Sequence, residues 1–178
     1  MNDEQEQKGA RRTGRAMMLV AWVFGLGLLT VLFQDLLESQ FNPNSRPQVQ
    51  LATDGGTEVV LERNARGQYV AGGRINGLPA TFLVDTGATD VAVPESLADR
   101  LGLQRLAGGI SQTANGAVAV WRTRLDEVQL GDIRMNDVSA SIVPTMDADG
   151  PVLLGMSFLK RLEFGQRGSE LVLRVTPR

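Results

Sequence analysis

The sequence predicts an all-β domain, with one or two short helices, standing behind a single transmembrane helix. Three observations carry that expectation. An uncharged apolar run of 17 residues (MMLVAWVFGLGLLTVLF) occupies 17–33. From Thr57 onward, apolar segments of five to eight residues alternate with turn signals rather than with helical periodicity. The length of 178 residues, 43% of them hydrophobic and 21% charged, suits one ordinary core with appendages.

Taken in chain order, 1–16 is a basic N-terminus carrying Lys8, Arg11, Arg12 and Arg15. The apolar run, extended by Leu36 and Leu37, makes 17–37 a membrane anchor of sufficient length. Its far flank opens with Asp35 and Glu38, so the positive-inside rule keeps the N-terminus in the cytoplasm and the rest of the chain outside. A cleavable signal peptide is the competing reading, but 33–40 (FQDLLESQ) has no small-x-small cleavage site. A buried globular helix fits poorly, since no polar face interrupts the run. Residues 38–56 turn to Asn, Pro, Ser, Gln and Gly and read as a flexible tether, leaving 57–178 as the folded domain.

Within that domain the strand candidates are 57–62 (TEVVLE), 68–75 (QYVAGGRI) and 78–84 (LPATFLV), the last two joined by the hairpin signal Asn76-Gly77. A strand over 89–93 precedes a short helix over 94–101, with proline in its first turn and Gly102 as its stop. A second hairpin is centred on Asn115-Gly116, with 103–113 leading in and 117–130 leading out. Gly131-Asp132 turns the chain into 133–143, 156–162 suits a short helix, and 171–175 makes the final strand.

Composition narrows the chemistry. Neither cysteine nor histidine occurs, which removes disulfides, thiolate or imidazole metal sites, and every mechanism with a histidine base. No metal or cofactor is called for. The basic residues are 16 Arg against 2 Lys and, past the N-terminus, are dispersed among acids. Only nine aromatic residues occur, Trp22 and Phe24 among them inside the apolar run, so neither a basic stripe nor a stacking platform for nucleic acid is present. Hydrolytic chemistry would rest on carboxylates.

One carboxylate has a distinctive setting. Asp85-Thr86-Gly87-Ala88 stands between the apolar segments 82–84 (FLV) and 91–93 (VAV), an acid at the end of one strand followed by a tight loop. Downstream, 152–155 (VLLG) precedes the second short helix. Asp147-Ala148-Asp149-Gly150 lacks the further ligands of a calcium loop and reads as a turn. Gly72-Gly73 and Gly108-Gly109 open no helix and read as bends or bulges.

The D-T-G-A loop, the hairpin with T-A-N-G at its turn, and the L-L-G segment resemble, in order and spacing, the aspartic proteases of the retroviral type. The resemblance covers about 68–175, and the whole chain is similar to bacterial single-domain, membrane-anchored retropepsin-like proteases of clan AA. It implies a closed β-barrel forming a single acid-protease lobe, acting as an endopeptidase on protein or peptide substrates. Asp85 is then the catalytic residue. Thr86, Gly87 and Ala88 support the active-site loop, while Thr113, Ala114, Asn115 and Gly116 form a flap over the substrate. Leu153, Leu154 and Gly155 pack beside the loop. Ala88 replaces a serine common in two-lobed relatives, which implies a working pH nearer neutral. The resemblance further implies a single-pass protein of a bacterial inner membrane, with its protease domain in the periplasm or outside.

Amide hydrolysis without histidine needs one group to take a proton from water and another to donate one. Two adjacent carboxylates sharing one proton do both. The chain has one D-T-G, so the second carboxylate must come from another copy, as a homodimer; the resemblance to the retroviral type implies 171–175 as the candidate strand for the subunit sheet. The rival reading is a catalytically silent, membrane-tethered peptide-binding or dimerisation module with the same fold.

Overall fold

The computed structural model describes residues 3–51, 55–113 and 116–175. They fall into two compact units, Met1–Ser39 and Gln40–Arg178. The first consists of the helix α1 (Asp3–Phe41), which runs into the start of the second. Met17–Phe41 is long and apolar enough to cross a membrane and its apolar stretch is exposed, which suits a membrane span and equally a signal sequence. The hydroxyl of Thr30 donates to the Leu26 carbonyl at 2.8 Å, which satisfies a polar group inside the apolar run.

The second unit contains two sheets around one core. Strands β1 (Gln48–Leu51), β2 (Thr57–Glu62), β10 (Glu163–Arg167) and β11 (Glu170–Val175) form an antiparallel sheet in the order β1-β2-β11-β10. The larger sheet contains β3 (Val70–Ile75), β4 (Leu78–Val84), β5 (Val91–Pro94), β6 (Gly108–Thr113), β7 (Gly116–Leu130), β8 (Ile133–Val143) and β9 (Val152–Leu154). Its order is β3-β4-β9-β5-β8-β7-β6, and β3 pairs again with β7 through Arg74–Gln129 and Ile75–Val128. Six strands therefore close into a barrel, and β6 extends it as the outer arm of a hairpin. Phe82, Ile75, Leu125, Leu130, Ile142 and Leu154 point into the barrel, and Leu61 and Leu173 of the smaller sheet join the same core.

Local chemistry explains the closure. Asn76 and Gly77 both have positive φ (48° and 80°), the requirement of a two-residue turn that matches strand twist. The turn is also pinned to β7, because Asn76 exchanges hydrogen bonds with the backbone of Glu127 at 2.9 and 3.0 Å. Two short helices, α2 (Glu95–Arg100) and α3 (Met156–Leu159), pack against β5 and β8 with Leu97, Ala98, Phe158 and Leu159 buried. Pro94 caps α2 from outside its first turn, and the helix stops at Gly102.

The structure differs from the sequence expectation in several places. The strand expected from Thr89 starts at Val91, because the Thr89 carbonyl is taken by the amide of Ser157. The lead-in expected over 103–113 is a strand only from Gly108. Strand β11 is hydrogen-bonded on both sides within its own chain, to β2 and β10, so β1 and β10 form the edges of that sheet. The stretch 38–56, expected to be a flexible tether, contains the end of α1, the strand β1 and a docked segment around Asn44; residues 52–54 lie outside the described residues.

That docking is polar. Asn44 is 4% exposed, and its amide donates to the carbonyls of Glu62 (2.9 Å) and Val70 (2.8 Å) while its Oδ1 accepts from the Glu62 amide (2.7 Å). Its own carbonyl accepts from Gly72 at 2.9 Å, and Asn64 donates to the Phe41 carbonyl at 3.0 Å. One buried side chain thus joins the end of β2 to the start of β3. Asn44→Ala leaves one buried and two part-buried backbone groups without that partner and is expected to cost about 2–4 kcal/mol. Urea denaturation checks this, with exposed Gln50→Ala expected to stay within about 0.5 kcal/mol of the parent.

Candidate active site

Asp85 is placed by two strands that run side by side. β4 and β9 are parallel, pairing Phe82 with Val152, Leu83 with Leu153 and Val84 with Leu154, so their carboxyl ends emerge together. Phe82, Val152 and Leu154 are buried, which anchors both ends in the core. At the end of β4 the amide of Asp85 donates to the Leu154 carbonyl at 3.2 Å.

The loop then folds on itself. The Gly87 amide donates to Asp85 Oδ1 at 2.9 Å, and the Ala88 amide donates to the Asp85 carbonyl at 3.2 Å. A backbone donor aimed at a carboxylate oxygen fixes its orientation. Asp85 and Ala88 are half-buried, whereas Thr86 and Gly87 are exposed at the loop tip.

The loop's return leg lies against the segment that follows β9. The Met156 amide donates to the Ala88 carbonyl at 2.8 Å, and the Ser157 amide to the Thr89 carbonyl at 2.9 Å. Gly155 makes this approach possible: a Cβ there would stand 2.7 Å from the Ala88 carbonyl oxygen and 2.3 Å from that of Asp90. Of the residues singled out in sequence as packing beside the loop, Leu154 bonds the Asp85 amide and Gly155 lies against Ala88 and Asp90, whereas Leu153 pairs with Leu83 and Ala92.

The hairpin of β6 and β7 pairs Thr113 with Gly116, and the tip residues Ala114 and Asn115 lie outside the described residues. Below the tip, Gly108 faces Trp121 and Ile110 faces Ala119, placing Ile110 and Trp121 on one face. They are 76% and 42% exposed. Sequence reasoning did not single them out; the only local signal was apolar side chains flanking Gly108-Gly109. It missed Ser157 as well, whose buried hydroxyl touches both β5 and β8.

Among the described residues no group of three or more acidic side chains gathers to hold a metal ion. Asp147–Gly150 closes as a turn: the amides of Asp149 and Gly150 bond to Asp147 at 3.3 and 3.0 Å, and Ser96 donates to the Ala148 carbonyl.

A six-stranded closed barrel that presents an Asp-Thr-Gly loop beside a Leu-Leu-Gly segment defines a single acid-protease lobe. Comparison with known proteins agrees. Residues 71–161 match the family model described as "gag-polyprotein putative aspartyl protease". A crystal structure of a retropepsin-like aspartic protease from Rickettsia conorii superimposes with a TM-score of 0.56 at 25% identity, over 72% of this chain and 94% of that one. Two curated relatives are uncharacterized proteins. One, from the cobV 5′ region of Sinorhizobium sp, is 33% identical over 126 residues (68% of this chain, 54% of the relative). The other, from Rickettsia prowazekii, is 30% identical over 120 residues (66% of this chain, 50% of the relative). The chain spans about half the length of these curated relatives. It belongs to the gag-type family of retropepsin-like aspartic proteases.

The packing of Gly155 gives a direct test. Gly155→Ala forces the return leg of the Asp85 loop away from the segment after β9 and is expected to cost about 3 kcal/mol in thermal or urea unfolding. Gly165→Ala, where an added Cβ meets nothing within 4 Å, is expected to leave stability within about 0.5 kcal/mol.

Proposed function

We propose that the chain is a membrane-anchored aspartic endopeptidase in which two Asp85 carboxylates, one from each subunit of a homodimer, activate a water for attack on a peptide carbonyl. The observation that carries this reading is the single Asp85 loop, rigidly backed by β9 and α3 yet exposed at Thr86 and Gly87.

Two carboxylates about 3 Å apart cannot both ionise, so they share one proton. The ionised member takes a proton from water while the protonated one donates to the carbonyl oxygen. The Gly87 amide holds one carboxylate oxygen from behind, and Thr86 at the tip faces its symmetry mate across the two-fold axis. β11 is occupied on both sides within its own chain, so it adds no strand to a partner's sheet, and the two Asp85 loops meet at the subunit contact. The hairpin from Thr113 to Gly116 closes over an extended peptide, which it holds by strand-like hydrogen bonds. Residues 17–37 anchor the chain in a bacterial inner membrane with the N-terminus in the cytoplasm and the barrel in the periplasm or outside.

With the full chain in detergent micelles and an unfolded protein as substrate, Asp85→Asn is expected to reduce kcat at least about a thousandfold. Mixing at constant total protein separates one site per chain from one site per pair. If each active site uses both carboxylates, an equal mixture of parent and Asp85→Asn chains retains about a quarter of the activity rather than half. Undiminished cleavage by Asp85→Asn overturns the assignment. Peptide binding by the parent without cleavage at any pH would establish the silent module instead.

Orientation is checked separately. A protease added to intact spheroplasts is expected to digest the barrel, and full protection would reverse the assigned topology.

A further inference from the structure

We propose that Ser157 is a positioning residue for the Asp85 loop, a role that rests on the catalytic reading above. Its side chain is 6% exposed, and its hydroxyl makes two hydrogen bonds to backbone distant in sequence. It accepts from the Val91 amide at 3.1 Å and donates to the Ser139 carbonyl at 2.7 Å.

The place of those two groups gives the hydroxyl its significance. β5 and β8 are parallel, with Val91 opposite Ala140. In a parallel ladder the slanted bonds direct the amide of Val91 toward the carbonyl one residue before its partner, which is Ser139. The Ser157 hydroxyl bonds both and relays one to the other. It thereby sets the spacing of β5 from β8 at the point where the Asp85 loop rejoins the barrel.

The same residue also grips the loop through its backbone. Gly155, Met156 and Ser157 meet the return leg in step: Gly155 lies under the carbonyls of Ala88 and Asp90, Met156 bonds Ala88, and Ser157 bonds Thr89. The other end of this segment is fixed to β8, since the Arg161 guanidinium donates to the carbonyls of Asn136 (2.7 Å) and Asp137 (2.8 Å). With α3 held on β8, the Ser157 side chain is the arm that sets where the return leg begins. Without its hydroxyl, Val91 and Ser139 either close on each other or stay apart unsatisfied. Both responses shift Thr89–Val91, and with them the turn that aims Asp85.

The test uses the full chain in detergent micelles and reads kinetics together with hydrogen exchange at the Gly87 amide, which reports its bond to Asp85. Ser157→Ala is expected to lower kcat by about ten- to a hundredfold with KM changed less than about threefold. Gly87 exchange should quicken about tenfold. Ser157→Thr keeps the hydroxyl and should recover most of both effects. Val172→Ala, a buried truncation in β11, controls for stability loss alone and should alter neither. If Ser157→Ala does not fold, Ser157→Cys, with its weaker donor, replaces it and should show the same pattern at smaller size. A Ser157 variant that moves kcat and Gly87 exchange no more than Val172→Ala overturns the proposal. An inactive parent chain whose Gly87 exchange still responds to Ser157→Ala overturns the protease reading and leaves the coupling of Ser157 to the loop standing.

Discussion

The Asp85 loop is held in place without being buried, and its support comes from the backbone at the end of β9 and of the residues that follow it. Leu154 holds the amide of Asp85, while Met156 and Ser157 hold the carbonyls of Ala88 and Thr89. Gly155 lets those partners come close enough to bond. The loop's own side of the bargain is small: one amide on a carboxylate oxygen and one turn bond. Such contacts give little net stability singly, but each fixes a different residue of the loop.

That backing depends on the barrel. β9 is only three residues long, yet it lies between β4, to which it is parallel, and β5, to which it is antiparallel. A strand this short persists because Val152 and Leu154 are buried in the core with Phe82 and Phe158. The second contact between β3 and β7 closes the sheet, and Asn76 reinforces the closure from within a turn. Closure keeps the ends of β4 and β9 together, because no barrel strand is left as a loose edge to slip.

Legibility in the sequence followed the range of the interactions. The strands at 57–62, 78–84 and 133–143 were readable to the residue, since apolar patterning and the Asn-Gly and Gly-Asp turns are local signals. The Asp85 loop was readable for the same reason. β10 was not, because EFGQR has one large apolar residue and is exposed throughout. Asn44 looked like tether composition. Its role depends on Glu62 and Val70, 18 and 26 residues away, and nothing near Asn44 announces them. Ser157 lies 66 residues from the amide it accepts, and a serine at the start of a short helix has no local mark of that duty.

The smaller sheet changes what dimerisation has to accomplish in the proposed enzyme. β11 finds both neighbours within one chain, and Leu171, Val172 and Leu173 are buried there. A single chain therefore completes its core and both sheets. The proposed catalytic pair needs two chains, because each brings one Asp85. Under this reading folding and activation are separate equilibria, and a subunit contact centred on two exposed loop tips is small. Small contacts give weak association in dilute solution. Confinement by a shared membrane raises the effective concentration of subunits and shifts that second equilibrium without adding a contact. In the proposed enzyme the N-terminal anchor then acts on the chemistry at Asp85 through mass action, with no need for it to touch the site.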